Sequence, residues 1–330
     1  MKSFLIRCLL FLSIQVAIGY VLISKGMEPA EEQNAYLATI LDKKELLSEP
    51  SEKPRLIVVG GSNVAFGFDT QELAGYLDLK PVNFGLHAAL GLFFPLNCLQ
   101  ENVAEGDVIV LAFEYEIIAS TTIDGNPKYL DEVFGYWPAA RKYAYDEFDW
   151  KRFVDCEALD LVHFWADRGR RRLKGDNPDV GKRIYQRGHF NNVGDMTGHH
   201  GLPSPGFVPV VSLTLDPDTL QRSINRLNRF HDHCVQVGAT VYYSFPPLPE
   251  DYAEKHKDRF RELEAELRDR LAMKVINSPA EMAFPVKDFY DTRYHLDQQA
   301  AKIRSERVLI GIERETRTAR LPTVPDTIYR

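Results

Sequence analysis

Two short segments near opposite ends of the chain carry side chains that together could perform acyl transfer. The first is Gly60-Gly61-Ser62-Asn63, which directly follows an apolar run. A serine on a sharp turn between a strand and a helix projects its hydroxyl above the sheet edge, and glycines allow the backbone to bend there. This pattern predicts Ser62 as a nucleophile, with the alternative that Ser62 or Asn63 only caps a helix.

The second segment, FYDTRYHLDQQAA at 289–301, contains Asp291 and His295. A serine hydroxyl is a poor nucleophile until a base takes its proton, and a histidine does so best when a carboxylate fixes its tautomer. The spacing predicts His295 as the base and Asp291 as the orienting acid, with Asp288 as an alternative acid. Taken alone, such an Asp/His pair is more typical of a helix cap and a surface histidine.

The order of these segments resembles the SGNH/GDSL hydrolase family over roughly 55–118 and 239–310. The family's glycine after the second strand matches Gly85 in VNFGLHAALG. The resemblance implies a triad of Ser62, Asp291 and His295, and an oxyanion hole formed by the N–H groups of Ser62 and Gly85, with Asn63 as a further donor.

Two features depart from the family pattern. Asp291 and His295 are separated by three residues rather than two, and no asparagine follows the third predicted strand, which ends Phe113-Glu114-Tyr115-Glu116. The YHLD sequence around His295 is similar to membrane-anchored members that modify surface polysaccharides, such as alginate acetyltransferases and proteins that D-alanylate teichoic acids. The resemblance therefore implies a carbohydrate or acyl-ester substrate, an acyl-transporting membrane protein as a candidate partner, and no cofactor.

Short β-branched runs alternate with helical patterns over the rest of the chain, which predicts one α/β domain at 55–330. We expect a three-layer α/β/α fold with a central, mostly parallel sheet of the SGNH or flavodoxin-like type. Predicted strands cover RLIVV, VNF, DVIVLAFEYE, ATVYYSF and 274–277, and predicted helices cover 70–77, 216–237 and 250–272. Residues 26–54 are expected to form a polar stalk.

A region at about 121–209 breaks this alternation and is interpreted as an insertion that shapes the substrate site. Within it, Asn192 and Asp195 are candidate sugar-binding residues, although the Gly, Asn and Asp around them are also typical of a tight turn. A zinc site is a weaker alternative, since imidazole is a common zinc ligand. The histidines available for it are His199, His200, His231 and His233.

The N-terminus predicts a membrane anchor. Residues 8–24 contain no charged side chain, Lys2 and Arg7 precede them, and three glutamates follow by position 32. A run of about 17–25 apolar residues can span a bilayer, and the positive-inside rule keeps the basic end in the cytoplasm. We expect an uncleaved transmembrane helix within residues 1–25, with a cleaved signal peptide as the alternative, and an extracytoplasmic domain at the periplasmic or cell surface.

The bulk composition excludes few functions. A formal charge of −7 argues against nucleic acid as a partner, because phosphate binding needs a concentrated basic face. A basic cluster at 168–174 runs against this trend and is most simply a solvated loop. Cys98, Cys156 and Cys234 leave one disulfide open, with the pairing undetermined.

The sequence therefore favours a serine-dependent esterase or O-acyltransferase that acts on a cell-surface or exported carbohydrate. The alternative is a degenerate SGNH fold that binds polysaccharide or scaffolds its export machinery. The altered Asp–His spacing and the missing asparagine favour this alternative. A metal-dependent hydrolase is a third possibility.

Overall fold

The computed structural model describes most of the chain beyond position 33, together with a few positions between 7 and 14. The main described ranges are 34–120, 122–144, 184–206 and 214–320. In these ranges and positions, no helix is both long and apolar enough to cross a membrane. Most of the predicted anchor at 8–24 lies outside the described residues, as do the basic cluster at 168–174 and Cys156.

A parallel sheet forms the centre of the fold. The strands found in the described residues are β1 (Arg55–Gly60), β2 (Lys80–Gly85), β3 (Val108–Leu111), β4 (Thr240–Tyr243), β5 (Leu248–Pro249), β6 (Lys274–Val275) and β7 (Ala283–Phe284). Five of them pair in parallel in the order β2-β1-β3-β4-β6, while β5 and β7 pair separately. The α/β prediction is confirmed.

Helices connect and flank the strands. Those described are α1 (Ile40–Ser48), α2 (Ser62–Phe66), α3 (Thr70–Tyr76), α4 (Phe93–Gln100), α5 (Tyr115–Ala119), α6 (Pro127–Tyr136), α7 (Pro217–Val237), α8 (Glu250–Lys255), α9 (Lys257–Arg270) and α10 (Gln298–Arg320). Helix α3 packs on α10, and α7 packs on α4 and α5.

The sequence explains why these strands occupy the centre. Every residue of β1 is buried, and Leu56, Ile57, Val58 and Val59 are fully inaccessible. Strands covered on both faces are typical of parallel sheets and have continuous β-branched runs rather than alternating ones. The register pairs Gly60 of β1 with Gly85 of β2, so the turns that follow both strands lie at one edge of the sheet.

The largest departures from the predicted elements are one shortened strand and one divided helix. The strand expected at 107–116 ends at Leu111, and the chain from Tyr115 to Ala119 is helical. The helix expected at 250–272 is divided at His256 into α8 and α9. By contrast, α7 matches its prediction, because Asp216 caps its start and Gly238 ends it with a φ of 88°.

The segment at 34–48, expected in the polar stalk, packs against the domain. Tyr36, Ile40 and Leu47 are buried in the core. The buried ammonium of Lys43 donates to the backbone oxygens of Asn83 at 3.0 Å and Gly194 at 2.8 Å. Burial lowers the pKa of Lys43 to about 7. This segment therefore joins the end of β2 to the insertion.

Two of the cysteines considered for a disulfide are described, and both are free thiols. Cys98 and Cys234 are each buried. The open disulfide is therefore not formed between these two residues. Burial raises the pKa of both thiols, so they remain protonated at neutral pH.

Candidate active site

The turn after β1 presents Ser62 at the carboxyl edge of the sheet. Gly60 ends the strand, and Ser62 begins α2. A Cβ at Gly60 would lie 2.1 Å from the backbone oxygen of Ala112, so only glycine fits this approach of β1 to the end of β3. Strand β2 pairs with one side of β1, and β3 pairs with the other. In open α/β sheets, ligand-binding crevices form beyond the carboxyl ends of strands at such a position.

Ser62 is partly exposed, in contrast to the rest of α2, which is buried. Its hydroxyl makes no hydrogen bond with any residue that the structure describes. The Ser62 side chain is therefore partly accessible at the turn, and it does not cap the helix.

His295 is held by the acid that the sequence predicts. Its Nδ1 lies 2.7 Å from Asp291 Oδ1. A carboxylate accepts hydrogen bonds, so Nδ1 carries the hydrogen and Nε2 carries the free lone pair. Nε2 has no partner among the described residues. Asp288, the alternative acid, makes no hydrogen bond with His295 in the described structure.

A tyrosine from the insertion completes this arrangement. The hydroxyl of Tyr185 donates to Asp291 Oδ2 and lies 3.3 Å from His295 Nδ1. Burial works against the charge of Asp291, but hydrogen bonds from His295 and Tyr185 outweigh it and hold the pKa of Asp291 below its ordinary value. Asp291 is therefore an anion at neutral pH, as an orienting acid must be.

The ring of Phe66 brings His295 close to the serine turn. The two rings stack with centroids 3.9 Å apart and an interplanar angle of 7°. Phe66 follows Ser62 by four positions in α2, and residues at this spacing lie on the same helix face with Cβ atoms about 5–6 Å apart. The Phe66 ring therefore links His295 to the short helix that begins at Ser62, although no hydrogen bond joins the Ser62 and His295 side chains.

Glu116 fixes the loop that carries the histidine. This residue of α5 accepts hydrogen bonds from Arg293 and from the hydroxyl of Tyr294, the latter at 2.6 Å. The loop is therefore attached both to the segment that follows β3 and, through Phe66, to the turn that follows β1.

The two expected oxyanion donors beyond Ser62 are used within the protein. The N–H of Gly85 donates to Asn83 Oδ1 at 2.8 Å. The Asn63 side chain is fully buried, donates to the Ala112 oxygen at 2.8 Å and accepts from Arg304 at 2.8 Å. The structure therefore does not bring Gly85 and Asn63 to a ligand as free donors.

A buried carboxylate that the sequence analysis did not assign lies beside the nucleophile. Glu114 accepts from the N–H of Gly61 at 3.1 Å and from the N–H of Asn63 at 3.0 Å. Burial raises the pKa of Glu114 against the opposing effect of these hydrogen bonds. The residue follows β3, where the family pattern expects an asparagine. It accepts hydrogen bonds from N–H groups at the amino end of α2, where the helix dipole is positive.

The candidate sugar-binding residues separate into one buried and one exposed side chain. Asp195 is only 3% exposed and binds Thr70 Oγ1 at 2.5 Å and Asn83 Nδ2 at 2.6 Å. It thus joins the start of α3 to the end of β2, and both of its carboxylate oxygens are engaged within the protein. Asn192 is exposed and makes no hydrogen bond with other described residues.

His199 lies near the triad but in a structural position. Its Nε2 donates to the Leu296 oxygen at 2.9 Å, and burial lowers its pKa to about 4. His199 is therefore neutral. Among the described residues, no group of three or more His, Cys, Asp or Glu side chains is arranged to hold a metal ion.

Aromatic rings from distant segments surround Phe66. Tyr36 lies 6.5 Å away, Tyr185 5.6 Å and His199 4.9 Å, measured between ring centroids. Tyr36 and Tyr185 also contact each other at 5.8 Å. The sequence analysis did not assign either tyrosine to the site, because an isolated tyrosine has no local pattern.

This geometry defines an α/β protein in which an Asp–His pair stacks on the short helix that begins at Ser62, at one edge of the sheet. Comparison of the chain with protein-family models, curated proteins and solved structures gives no match.

Proposed function

We propose that this chain is a serine-dependent acyl-ester hydrolase or O-acyltransferase of the SGNH type. In this proposal Ser62 is the nucleophile, His295 the general base and Asp291 the orienting acid. The observation that carries it is a histidine that an aspartate fixes at 2.7 Å and that stacks on Phe66, in the short helix that begins with a partly exposed serine. The strand order, which is that of flavodoxin-like doubly wound sheets, also supports the SGNH and three-layer assignment.

The reaction begins when His295 Nε2 takes the proton of the Ser62 hydroxyl as Ser62 attacks an ester carbonyl. Asp291 stabilises the imidazolium that forms, and the N–H of Ser62 faces the developing oxyanion. His295 then protonates the leaving alcohol. Because no hydrogen bond joins Ser62 to His295 in the free protein, substrate binding has to tighten this contact, as is common in acyl-transfer sites.

The second acceptor decides between the two activities. Water gives an esterase, and a sugar hydroxyl gives an O-acyltransferase. The predicted anchor at 8–24 favours a cell-surface or exported carbohydrate as the acceptor or substrate, reached from the extracytoplasmic side. An acyl-transporting membrane protein would supply the acyl group for transfer.

The test uses p-nitrophenyl acetate turnover and labelling by a fluorophosphonate probe. We expect Ser62→Ala to abolish both, and Asp291→Asn to lower kcat by about 10⁴-fold because His295 loses its fixed tautomer. Ser48→Ala is the matched control, since Ser48 is an exposed serine at the end of α1 whose hydroxyl bonds only its own helix. A Ser62→Ala protein that folds and turns over at the wild-type rate removes the serine mechanism.

A second candidate is a catalytically degenerate protein of the same fold that binds polysaccharide or scaffolds its modification. The engagement of the N–H groups of Gly61, Asn63 and Gly85 favours it, because these amides cannot also hold an oxyanion. Wild-type protein that is inert to the fluorophosphonate probe but binds glycan would support this candidate and exclude the enzyme.

A further inference from the structure

Acyl transfer at Ser62 requires donors for the developing oxyanion, and this site has few. Glu114 occupies the N–H groups on either side of Ser62, and Asn83 occupies that of Gly85. The N–H of Ser62 has no acceptor among the described residues and remains available as a donor. Since the loss of one oxyanion donor typically lowers kcat by about 10²–10³-fold, a second donor is needed for efficient catalysis.

The hydroxyl of Tyr36 is a buried donor without a partner. Tyr36 is 8% exposed, and its hydroxyl oxygen makes no hydrogen bond among the described residues. An unpaired buried hydroxyl is destabilising and uncommon in folded proteins, so its presence calls for an explanation.

The packing of Tyr36 places it beside the candidate triad. Its ring lies 6.5 Å from Phe66, which stacks on His295, and 5.8 Å from Tyr185, which binds Asp291. The short 3₁₀ helix at Tyr36–Thr39 thus positions the Tyr36 side chain against the aromatic cluster that contacts the base and its acid.

The electrostatic surroundings keep this hydroxyl protonated. Burial first, and then the nearby carboxylates of Glu114 and Asp291, raise the pKa of Tyr36 far above its ordinary value. Glu114 binds the serine turn, and Asp291 binds the histidine. The Tyr36 hydroxyl remains a neutral donor throughout the working pH range.

We propose that Tyr36 donates a hydrogen bond to the carbonyl oxygen of the acyl group that Ser62 attacks, as the second oxyanion donor beside the Ser62 N–H. This inference rests on the proposed function and deepens it. The hydroxyl is left unpaired in the free protein because its partner is the substrate oxygen.

The reaction leaves Tyr36 chemically unchanged. Ser62 Oγ forms a bond to the carbonyl carbon, the π pair moves onto the carbonyl oxygen, and the serine proton moves to His295. When the tetrahedral intermediate collapses, the C=O bond re-forms, the bond to the alcohol oxygen breaks, and the alcohol takes the proton from His295. Tyr36 keeps its own proton and stabilises the oxyanion only by a hydrogen bond.

The test compares full-length wild type with Tyr36→Phe, which removes a single oxygen atom. We expect kcat for p-nitrophenyl acetate to fall by about 10²–10³-fold with KM unchanged, which is the signature of a lost oxyanion donor. The pH profile keeps its shape, because the phenol does not titrate in that range. The melting temperature stays the same or rises, because an unpaired buried hydroxyl has been removed.

Tyr143→Phe is the matched control. Tyr143 is also buried, but its hydroxyl donates to Glu101, a residue that follows α4. We expect this control to keep its kcat and to lose stability. A catalytic hydroxyl and a structural hydroxyl thus give opposite patterns in the two measurements.

The outcomes separate this inference from the proposed function. Wild-type kcat in Tyr36→Phe, with Ser62→Ala inactive, overturns the role of Tyr36 and leaves the serine mechanism intact. A lowered melting temperature in Tyr36→Phe assigns the hydroxyl to the fold and also overturns the inference. If the wild-type protein is inactive and is not labelled by the fluorophosphonate probe, or if the Ser62→Ala protein is active, both the role of Tyr36 and the serine mechanism are overturned.

Discussion

At the scale of single residues, His295 is oriented by two oxygen atoms on its Nδ1 side. Asp291 accepts the Nδ1 hydrogen at 2.7 Å, and the Tyr185 hydroxyl binds the other oxygen of the same carboxylate. Because Asp291 receives two donors, it keeps its charge despite its burial. Phe66 limits rotation of the imidazole by stacking on its face. The orientation of His295 Nε2 is therefore fixed before a substrate binds.

The pH dependence of stability tests the neutral state assigned to His199. Burial lowers its pKa from 6.5 to about 4, so the unfolded chain binds the proton first as the pH falls. The free energy of unfolding should therefore decrease between these two values, by about 2 kcal/mol from this residue between pH 7 and about 4.5. Urea unfolding at both pH values measures the change.

His199→Gln is the matched variant for this prediction, because its amide can still donate to the Leu296 oxygen but does not titrate. We expect the variant to lose less stability than wild type over the same pH interval. Equal losses in the two proteins would show that His199 is already charged in the folded state or that it is exposed.

At the scale of elements, two buried ionisable side chains hold the five-residue helix that presents the serine. Glu114 binds N–H groups at the amino end of α2, and Arg304 of α10 donates to the Asn63 oxygen at 2.7 Å. Burial lowers the pKa of Arg304 to about 9, which leaves it charged at neutral pH. A helix this short leaves nearly all its terminal groups unpaired. The position of Ser62 therefore depends on β3 and on the C-terminal helix.

The turn at 191–196 gives a prediction that separates structure from binding. Asp195→Ala should lower the free energy of unfolding by about 3 kcal/mol, because Thr70 and Asn83 lose their buried acceptor. Asn192→Ala, on the exposed neighbour, should change it by less than about 0.5 kcal/mol. Chemical denaturation measures both. An Asp195→Ala protein of wild-type stability but raised KM would restore Asp195 as a ligand-binding residue.

The strands near the site were predictable because their signals are local. The β-branched run of β1 ends at two glycines, and that of β4 ends before two prolines. The third strand was predicted too long because its apolar run continues past the pairing. The N–H of Ala112 still donates to Val59. Beyond Ala112 there is no further β1 residue to pair with, and Glu114 binds the start of α2 instead.

The candidate site was predictable only where its members are neighbours in sequence. Asp291 and His295 lie four positions apart on one loop. Tyr185 is 106 positions from Asp291, and Glu114 is 53 positions from Gly61. A single tyrosine or glutamate has no pattern that marks it before the fold is known. The sequence also does not show that Asn83 binds the N–H of Gly85 or that Arg304 binds the Asn63 side chain.

At the scale of the molecule, two segments outside the sheet cover the same edge. The N-terminal segment supplies Tyr36, and the insertion supplies Tyr185. They are joined by the bidentate pair of Arg187 with Asp42 and by the contact of Asn34 with Gln186 at 3.1 Å. The site therefore depends on the segment at 34–48, which comes after the predicted anchor in the sequence.

The predicted anchor is tested in the full-length chain with a C-terminal alkaline phosphatase fusion, a reporter that needs the oxidising exterior for its disulfides. Because residues 8–24 carry no charge and basic residues precede them, we expect the protein to stay in the membrane fraction after a carbonate wash and the reporter to be active. Val16→Arg with Ile18→Arg should abolish both, since each arginine costs about 2.5–3.5 kcal/mol at the centre of a span.

Val16→Leu with Ile18→Leu is the matched control, which keeps the run apolar and should keep both membrane retention and reporter activity. Wild-type protein that the carbonate wash releases while the reporter is active would favour the cleaved signal peptide, which a new N-terminus after about residue 19 would identify. An inactive reporter on a stable fusion would place the domain in the cytoplasm. Acyl transfer to an exported carbohydrate would then be excluded, because Ser62 and its acceptor would lie on opposite sides of the membrane.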